Sequence, residues 1–419
     1  MLKINSRERI LASINHKEPD RVPVDIGSTN MTGISAIAYN NLKNYLGVKE
    51  GNIRVYDMVQ QLARVEDWFI ERFGIDAIDI GSTYLTEDKD WYDVELHGIK
   101  AQFPIYLQPR YNEDGSYELV HSDGTIIGRM SKDSLVMDQT YYPWLEKYPE
   151  KFDLQSYIQA LDKNLWAKGV IPPLSNMGEK RYWRNLRDNV IKLRQETNKI
   201  IILCLTMNIF QGTHSFRRMD KFLMDTIRNP TKVEKFVDLQ IEFYINALKV
   251  VCKYLGDVLD IVTFGDDLGE NNGPMISPKT YRKFFKRGHQ ELCDYIKKHS
   301  SMKIFFHSCG SIVKLLPDLI ECGIDILNPV QINAKDMDPK YLKENFGDDI
   351  TFWGGGVDTR NVFNRKPPEE VKKHVKELLE IFAPGGGYIW NAIHNILPDV
   401  PPENIIAALE AVEEYNEEK

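Results

Sequence analysis

A histidine and a cysteine two residues apart, His307 and Cys309, have the spacing in this chain that most clearly suggests chemistry. They stand at and just beyond the end of the run KIFF, which has the composition of a buried strand. Residues i and i+2 of an extended chain point to the same side, so an imidazole and a thiol would share one face. This nitrogen and sulfur pair suits Zn2+, and a satisfied histidine beside a core cysteine is the structural alternative.

Further candidate groups follow other predicted strands. His394 comes after the strand Gly387–Asn391 and offers a third metal ligand, or else bonds a backbone group as a loop histidine. Asp266 and Asp267 come after the strand Leu259–Gly265. As catalytic residues they would orient a ligand or carry a proton, and as paired acids they also suit a turn. Five more strand-end residues are predicted to contact substrate: Asp25, Asn208, Gln331, Gly355 and Asn391.

Gly355 is the centre of a run of three glycines, Gly354–Gly356. The open backbone N–H groups of such a loop can hold a phosphate or carboxylate. The same composition also fits a tight turn that needs positive φ. Both interpretations stand at the level of sequence.

These residues require elements that bring strand ends together. Eight strands are predicted: Val22–Gly27, Ala77–Gly81, Lys199–Thr206, Leu259–Gly265, Lys303–His307, Asp325–Val330, Ile350–Gly354 and Gly387–Asn391. Helical patterns lie between most of them, the clearest being Pro230–Leu255, Pro278–Ser300, Pro368–Phe382 and Pro402–Glu414. Eight such units predict an α/β fold, a (β/α)8 TIM barrel with its chemistry at the carboxyl ends of the strands. A doubly wound open sheet is the alternative.

The second and third strands are separated by a long segment, predicted as an insertion over about residues 86–180 of a single domain 1–419. Trp91–Met130 alternates apolar and polar residues, with turn signals at Asn112–Gly115 and Ser122–Gly124. We therefore expect an antiparallel hairpin region there, followed by loop and helix over Tyr148–Lys168. It would cover or border the mouth of the barrel.

Composition limits the classes of function. The 419 residues are 42% hydrophobic, and 53 basic against 61 acidic residues give a net charge of −8. This balance argues against a nucleic-acid partner. No apolar run reaches the roughly 18 residues of a membrane helix, and the charged N-terminal stretch does not resemble a secretory signal. The expected location is the cytoplasm, where five cysteines would stay reduced. A homodimer is left open.

Five stretches carry a family resemblance: RERILASINHKEPDRVPV, GDDLGENNGPMISPKTYRKFF, FHSCGSIVKLLPDLIECGIDILNPVQ, WGGGVDTRNVF and GGGYIWNAIHNILPDVPPENI. Along nearly its whole length the chain resembles the uroporphyrinogen decarboxylase superfamily. That resemblance implies a (β/α)8 barrel, in agreement with the strand count.

The superfamily has two branches. True decarboxylases carry an arginine-rich loop after the first strand for the porphyrinogen carboxylates, but the matching stretch here, DIGSTNMTGISAIAYNNL, contains no arginine. The other branch, the zinc methyltransferases, has the pattern H-x-C followed by a distant cysteine. His307 and Cys309 match its first two positions, and His394 stands where the late cysteine is expected.

The resemblance therefore implies one Zn2+ held by His307, Cys309 and His394, and methyl transfer between a corrinoid and a small acceptor such as a thiol or a pterin. Nothing here resembles the D-x-H-x-x-G stretch of a cobalamin-binding domain. Methylcobalamin or another corrinoid would therefore come from a partner corrinoid protein. The rival hypotheses are a metal-free lyase on the same scaffold, using Asp25, Asp266 or His307, and a member without catalytic activity.

Overall fold

The fold is described by a computed structural model over residues 4–83, 85–169 and 178–418. Residues 170–177, which belong to the predicted insertion, lie outside the described residues. The strands, in chain order, are β1 (Val55–Asp57), β2 (Leu62–Ala63), β3 (Ala77–Asp79), β4 (Trp91–Leu96), β5 (Ile99–Pro104), β6 (Arg110–Tyr111), β7 (Tyr117–Val120), β8 (Ile126–Met130), β9 (Asp138–Gln139), β10 (Ile200–Cys204), β11 (Ile261–Gly265), β12 (Gly269–Glu270), β13 (Gly273–Pro274), β14 (Lys303–His307), β15 (Ile326–Asn328), β16 (Thr351–Trp353) and β17 (Tyr388–Ile389).

The helices connect these strands or pack around them. They are α1 (Ser6–Ile14), α2 (Ala36–Tyr45), α3 (Asp67–Arg72), α4 (Leu154–Leu161), α5 (Leu165–Gly169), α6 (Lys180–Glu196), α7 (Phe210–Arg217), α8 (Met219–Arg228), α9 (Pro230–Leu255), α10 (Pro278–Phe284), α11 (Lys286–His299), α12 (Leu316–Glu321), α13 (Pro339–Phe346), α14 (Pro368–Phe382) and α15 (Pro402–Glu417). Two 3-10 turns, Ile80–Thr83 and Asp88–Asp90, follow β3 and precede β4.

Seven parallel strands form the central sheet, in the order β3-β10-β11-β14-β15-β16-β17. Chain segment 23–25 lies between the two edges of this sheet. Asp25 N–H donates to Trp390 O beside β17, and Asp76 N–H donates to Val24 O beside β3. The sheet therefore curls into a ring, which confirms the predicted TIM-barrel fold class.

The prediction of a full first strand over Val22–Gly27 is wrong, because the structure has a single parallel bridge there, from Val24 to Trp390. Pro23 has no N–H to give to a neighbouring strand. The N–H of Val24 is donated to the side-chain carboxylate of Asp76, 3.0 Å away, and not to a strand carbonyl. The barrel thus closes through a few hydrogen bonds and not through a long ladder.

The inside of the barrel is built in layers, since alternate residues of each strand point inward. Its lower layer is apolar and is closed from below by α1, whose Ile10 and Ile14 pack among the following strand residues: Ala77, Ile200, Ile202, Ile261, Phe305, Ile326, Trp353 and Ile389. Two residues further along most of these strands the inward positions become polar. We call this set the polar ring: Asp79, Cys204, Thr263, His307, Asn328 and Asn391.

The predicted insertion is antiparallel, as expected. β4 and β5 form one hairpin, and β6 to β9 form a four-stranded sheet. Gly115 and Gly124 have φ of 81° and 88° in the two predicted turns, a conformation that glycine adopts at little cost. A further turn at His97–Gly98 was not predicted. Both its residues have positive φ, as a two-residue hairpin loop requires.

The insertion borders the rim on which the predicted site lies. Met137 N–H donates to Val59 O, and Gln139 Nε2 donates to Ser215 O in α7, the helix that follows β10. Gln60, the residue after Val59, accepts a hydrogen bond from Asn395 Nδ2, 3.0 Å away, in the loop after β17. The insertion therefore rests on segments at the carboxyl ends of the barrel strands.

Two of the predicted helices, α9 and α14, have the predicted bounds, and the last helix continues three residues further, to Glu417. The helix predicted over Pro278–Ser300 is broken into α10 and α11. The break falls at Phe285, where φ is −116° and the ring packs edge-on against Phe210. Core packing of this aromatic side chain accompanies the bend.

Candidate metal centre at the barrel rim

His307, the last residue of β14, is held in one orientation. Its Nδ1 lies 2.6 Å from Asn328 Oδ1, and the Asn328 Nδ2 donates to the carbonyl of Trp353, 2.8 Å away. The second bond fixes which end of the amide faces the imidazole, so Nδ1 carries the proton and donates it. The lone pair of His307 is therefore on Nε2. Such an outer hydrogen bond is the usual means of orienting a histidine that binds a metal.

Cys309 stands beside that nitrogen. Its Sγ lies 3.4 Å from His307 Nε2. Its backbone N–H donates to Asp267 Oδ1, 2.9 Å away, and Asp267 Oδ1 lies 3.5 Å from His307 Nε2. Burial raises the pKa of the Cys309 thiol well above its usual value, and the Asp267 carboxylate adds to this effect. The thiol thus needs a cation beside it to ionise near neutral pH.

His394 reaches the same point from the loop after β17. Its φ is +66°, an uncommon conformation for a residue other than glycine, and its ring centroid lies 5.1 Å from that of His307. Burial, followed by the charge of His307, lowers the pKa of His394 well below its usual value. The ring is therefore neutral, as a metal ligand must be.

The hydrogen bonding of His394 has a consequence for metal binding. The N–H of Asn395 lies 2.8 Å from His394 Nδ1 and donates to it. A neutral imidazole has one lone pair, so Nε2 carries the proton in this arrangement. Ligation through Nε2 thus requires the 394–395 peptide to turn away from Nδ1, whereas ligation through Nδ1 replaces this hydrogen bond.

The three side chains come close to the spacing of a zinc site. One ligand atom from each of His307, Cys309 and His394 lies within 4.8 Å of the other two. A tetrahedral zinc ion with bonds of about 2.1 Å to nitrogen and about 2.3 Å to sulfur holds those atoms roughly 3.6 Å apart. The His307–Cys309 pair, at 3.4 Å, has nearly this spacing, and the ligand atom of His394 lies within 4.8 Å of both. Two imidazoles and a thiol are a donor set that suits Zn2+.

Asp266 and Asp267 have different surroundings, although they are adjacent. Asp267 borders the metal ligands, and its side chain keeps 26% of its surface exposed. Its other oxygen accepts from Gln211 Nε2 at 3.0 Å. Asp266 is fully buried and accepts the backbone N–H groups of residues 209–211 at the start of α7. The structure thus gives Asp266 a positioning role through α7 and Gln211.

The carboxylate of Asp266 also ends a buried chain of polar groups. His289 Nε2 lies 2.8 Å from Asp266 Oδ2, and His289 Nδ1 lies 2.8 Å from the hydroxyl of Tyr281. Asp266, His289 and Tyr281 are all fully buried. Sequence analysis gave no role to His289, since one residue on a helix carries no signal of what it contacts across the fold.

The predicted substrate residues lie around the same rim. Gln331 Oε1 accepts from Gly310 N–H beside Cys309, and Asn208 Nδ2 donates to Gln211 Oε1. Both therefore support loops that carry other site residues. The N–H of Gly355 donates to Pro329 O, 2.8 Å away, at φ of +65°. The turn interpretation of the glycine run thus describes Gly355 in this structure, with its N–H used within the fold.

Asp25 and Asn391 lie side by side inside the barrel. The carboxylate of Asp25 accepts from Trp353 Nε1 at 2.9 Å and from Ser28 N–H at 3.2 Å. Burial raises its pKa to about 6. Asn391 Nδ2 donates to Asp25 O at 2.9 Å, while Asn391 Oδ1 has no hydrogen-bond partner among the described residues.

Sequence analysis missed three residues of the polar ring that matter to the site: Asp79, Cys204 and Asn328. Each was inside or at the end of a predicted strand. Asn328 also lies in one of the stretches that carry the family resemblance, whereas Asp79 and Cys204 belong to no recognisable motif. The signal that would have found them is the period of two along the strand. Asp79 follows Ala77, Cys204 follows Ile202, and Asn328 follows Ile326 at this spacing; the three preceding residues are all part of the apolar layer.

No described helix is both long enough and apolar enough to cross a membrane.

Comparison with known proteins identifies the family of this chain. The family model "Uroporphyrinogen decarboxylase (URO-D)" matches residues 204–415, half of the chain. A uroporphyrinogen decarboxylase from Christiangramia forsetii is 26% identical over 217 residues, which cover 52% of this chain and 57% of that protein. A methylcobamide:CoM methyltransferase from Methanosarcina barkeri is 25% identical over 198 residues, 46% of this chain and 52% of that protein. The chain thus spans little more than half the length of either relative.

A solved structure described as a methyltransferase from Methanosarcina mazei has the same fold. It superposes with a TM-score of 0.59 over 99% of both chains, at 15% sequence identity. This likeness covers the barrel together with its insertion.

Proposed function

Because this chain belongs to the uroporphyrinogen decarboxylase family, we propose that it is a zinc-dependent methyltransferase that moves a methyl group between a corrinoid and a small acceptor such as a thiol. A partner corrinoid protein would supply the corrinoid. The observation that carries the proposal is the orientation of His307. Its Nδ1 donates to Asn328 Oδ1, so its Nε2 lone pair faces Cys309 Sγ at 3.4 Å.

His307, Cys309 and His394 would hold the ion. A bound Zn2+ lowers the pKa of a coordinated thiol, so that the thiolate is available as a nucleophile at neutral pH. The side chains of the site then have separate tasks. Asn328 keeps His307 in its tautomer, and Gln211 together with the Cys309 N–H holds the carboxylate of Asp267 at the rim.

The proposed reaction balances without an oxidant. A corrinoid supplied by the partner would give its methyl group to the acceptor sulfur, and the electron pair of the broken cobalt–carbon bond would remain with the corrinoid. The sulfur–carbon bond forms with the electron pair of the thiolate. The proton that the thiol loses passes to Asp267, the partly exposed carboxylate beside the ligands, and from there to solvent. Asp266 supports this arrangement from beneath α7.

Metal analysis of purified protein tests the proposal. We expect about one zinc per chain. Cys309→Ala should lose it, because one of three ligands is removed, whereas Cys204→Ser is the matched control. Cys204 is another cysteine inside the barrel, and it lies outside the ligand group. Full zinc retention by Cys309→Ala would contradict the assignment.

Methyl transfer is measured separately, by the loss of methylcobalamin absorbance when the zinc-loaded protein is mixed with methylcobalamin and a thiol. A protein that binds zinc and transfers no methyl group would be a member without this activity. A protein that binds no zinc but acts on a carboxylate substrate would be the metal-free lyase, the alternative that the decarboxylase relatives support.

A further inference from the structure

The polar ring has two unlike sides. On one side, His307 and Asn328 complete each other's hydrogen bonds. On the other side, the charges of Asp79 and Asp25 act on the Cys204 thiol, and Asn391 donates to the carbonyl of Asp25. We call these last four residues the acid side.

One hydrogen-bond acceptor on the acid side, Asn391 Oδ1, has no donor among the described residues. Asn391 is 1% exposed, and its Oδ1 has no partner among the described residues although its Nδ2 is bonded to Asp25 O. A buried acceptor without a donor costs about 1–3 kcal/mol, so such a group usually marks a place where something else donates. The carboxylate of Asp25 already accepts from Trp353 and Ser28, and that of Asp79 accepts the N–H groups of Gly81 and Ile80. A ligand that reaches Asn391 Oδ1 must bring an N–H or O–H group to it.

The two charged residues that belong to the acid side, Asp25 and Asp79, are both acids. Beside burial, the charges that act on the Cys204 thiol come from Asp79 and Asp25. The cation that acts on Asp79 is Arg64, whose guanidinium also donates to the carbonyls of Gly81 and Leu85. Burial raises the pKa values of Asp25 and Asp79 to about 6, so both carboxylates are largely ionised at neutral pH. A cationic group placed among them would be favoured, and an anionic group would be repelled.

The glycine run offers no compensating anion site. The N–H groups of Gly354, Gly355 and Gly356 donate to Ile389 O, Pro329 O and Asn391 O. The loop after the first strand contains no arginine either. The glycine run therefore has no free N–H group, and the loop has no arginine, with which to bind a sulfonate, phosphate or carboxylate tail.

The acid side and the metal ligands are linked by a short chain of contacts. His307 bonds Asn328, Asn328 bonds the carbonyl of Trp353, and the indole of Trp353 donates to Asp25. Along the chain, Asn391 stands three residues before His394. Since His307 also belongs to the polar ring, the acid side and the metal ligands border the same part of the barrel interior.

We propose that the methyl acceptor of this protein carries a protonated amine, and that Asp25, Asp79 and Asn391 bind its ammonium group. This inference rests on the proposed methyl transfer and names the class of small molecule that takes part in it. The ammonium would donate to the free Oδ1 of Asn391 and neutralise the two carboxylates. It would thereby satisfy both unusual features of the acid side.

Three thiols that share a two-carbon chain and differ in the terminal group test the proposal: 2-aminoethanethiol, 2-sulfanylethanol and 2-sulfanylethanesulfonate. The zinc-loaded protein is assayed with methylcobalamin and each thiol. We expect kcat/KM to be highest for the amine and lowest for the sulfonate, with about tenfold or more between amine and alcohol. Because the thiols differ in intrinsic reactivity, the decisive quantity is the change of the amine-to-alcohol ratio between wild type and variants.

Asp79→Asn should reduce that ratio by about tenfold, since it removes one of two charges that face the ammonium. Asn391→Asp should raise it, because it adds a carboxylate at the same place, and it keeps the proposal testable if Asp79→Asn does not fold. Asp348→Asn removes one exposed charge elsewhere on the chain and should leave the ratio unchanged. Equal ratios in wild type, Asp79→Asn and Asn391→Asp, or a preference for the sulfonate, would overturn the ammonium site.

Calorimetry separates this inference from the proposed function. The zinc-loaded protein is titrated with 2-aminoethanethiol and with 2-sulfanylethanol in the absence of methylcobalamin. If no thiol is methylated, methyl transfer to thiols fails as the function. Tighter binding of the amine that Asp79→Asn abolishes would still support the ammonium site. Equal binding of both thiols would overturn it.

Discussion

The two sides of the polar ring differ in how completely their side chains are bonded. The imidazole of His307 and the amide of Asn328 have partners that fix their orientation, from the Trp353 carbonyl through Asn328 to the imidazole. Asn391 has an amide oxygen without a partner among the described residues, and its amide nitrogen donates to the carbonyl of the buried acid Asp25. The first arrangement suits a group that must be held in one geometry, such as a metal. The second suits a ligand that comes and goes and brings its own donors.

The largest effect is expected from removing the metal ligand that comes from the far end of the chain. His394→Ala should weaken zinc binding by more than about 100-fold, because a third ligand is lost from a site whose other two stand on one strand. His394→Cys should keep about one zinc per chain. Competition with a chromophoric chelator measures both. Unchanged zinc affinity in His394→Ala would show that His394, in the loop after β17, is not a ligand of the metal.

A smaller effect is expected from loosening the same side without touching a ligand. Asn328→Leu removes the acceptor of His307 Nδ1–H and leaves the imidazole free to change tautomer. Zinc affinity should fall by roughly 10- to 100-fold, as for other residues that orient a ligand. Asn345→Leu, at an exposed asparagine in α13, is the matched control and should have no effect. Equal affinity in both variants would mean that orientation of His307 is not what makes this side a metal site.

Sequence analysis predicted the metal ligands better than it predicted the residues of the acid side. His307 and Cys309 form a short motif, and the rule that barrel chemistry lies at strand ends placed His394 beside them. Asp79 and Cys204 carry no motif, and only the period of two along their strands places them inside the barrel. Asn391 was predicted to contact substrate, but its unpartnered oxygen depends on the position of Asp25, which no local pattern specifies.

The barrel itself followed from the same strand rule, whereas details that depend on side chains did not. The first strand is reduced to a bridge because the Asp76 carboxylate takes the N–H of Val24. Asp266 and Asp267 look equivalent in sequence. They separate in the fold because one carboxylate accepts the N–H groups at the start of α7 and the other reaches the rim. Contacts across long sequence distances decide both outcomes.

On the acid side, a change of stability with pH is expected. The pKa of Asp79 is raised in the folded protein to about 6 from an ordinary value of 3.8, so the folded state binds its proton more tightly. This contribution to stability is present at acid pH and is lost as pH rises from about 4 to about 6. Asp79→Asn should therefore raise the free energy of unfolding at pH 7.5 by roughly 1–3 kcal/mol and flatten this slope. Denaturant unfolding at several pH values measures it, and a destabilised variant at pH 7.5 would contradict it.

The smallest effect is expected at Asp57, a third buried acid whose pKa burial also raises to about 6. Unlike Asn391, its carboxylate already has donors: Gln60 N–H at 3.0 Å and Gln60 Nε2 at 2.9 Å. Asp57→Asn removes a buried charge but also turns an amide N–H2 toward one of these donors, so the two contributions oppose each other. The free energy of unfolding at pH 7.5 should change by less than about 1 kcal/mol.

The amine-to-alcohol preference of Asp57→Asn should stay within about threefold of wild type, because Asp57 does not belong to the polar ring that faces the barrel interior. Thermal unfolding and the thiol assay measure the two quantities on the same preparation. A loss of preference as large as that in Asp79→Asn would extend the acid side to Asp57. The distinction between the two sides of the ring would then rest on charge alone, and the bonding state of each acceptor would not matter.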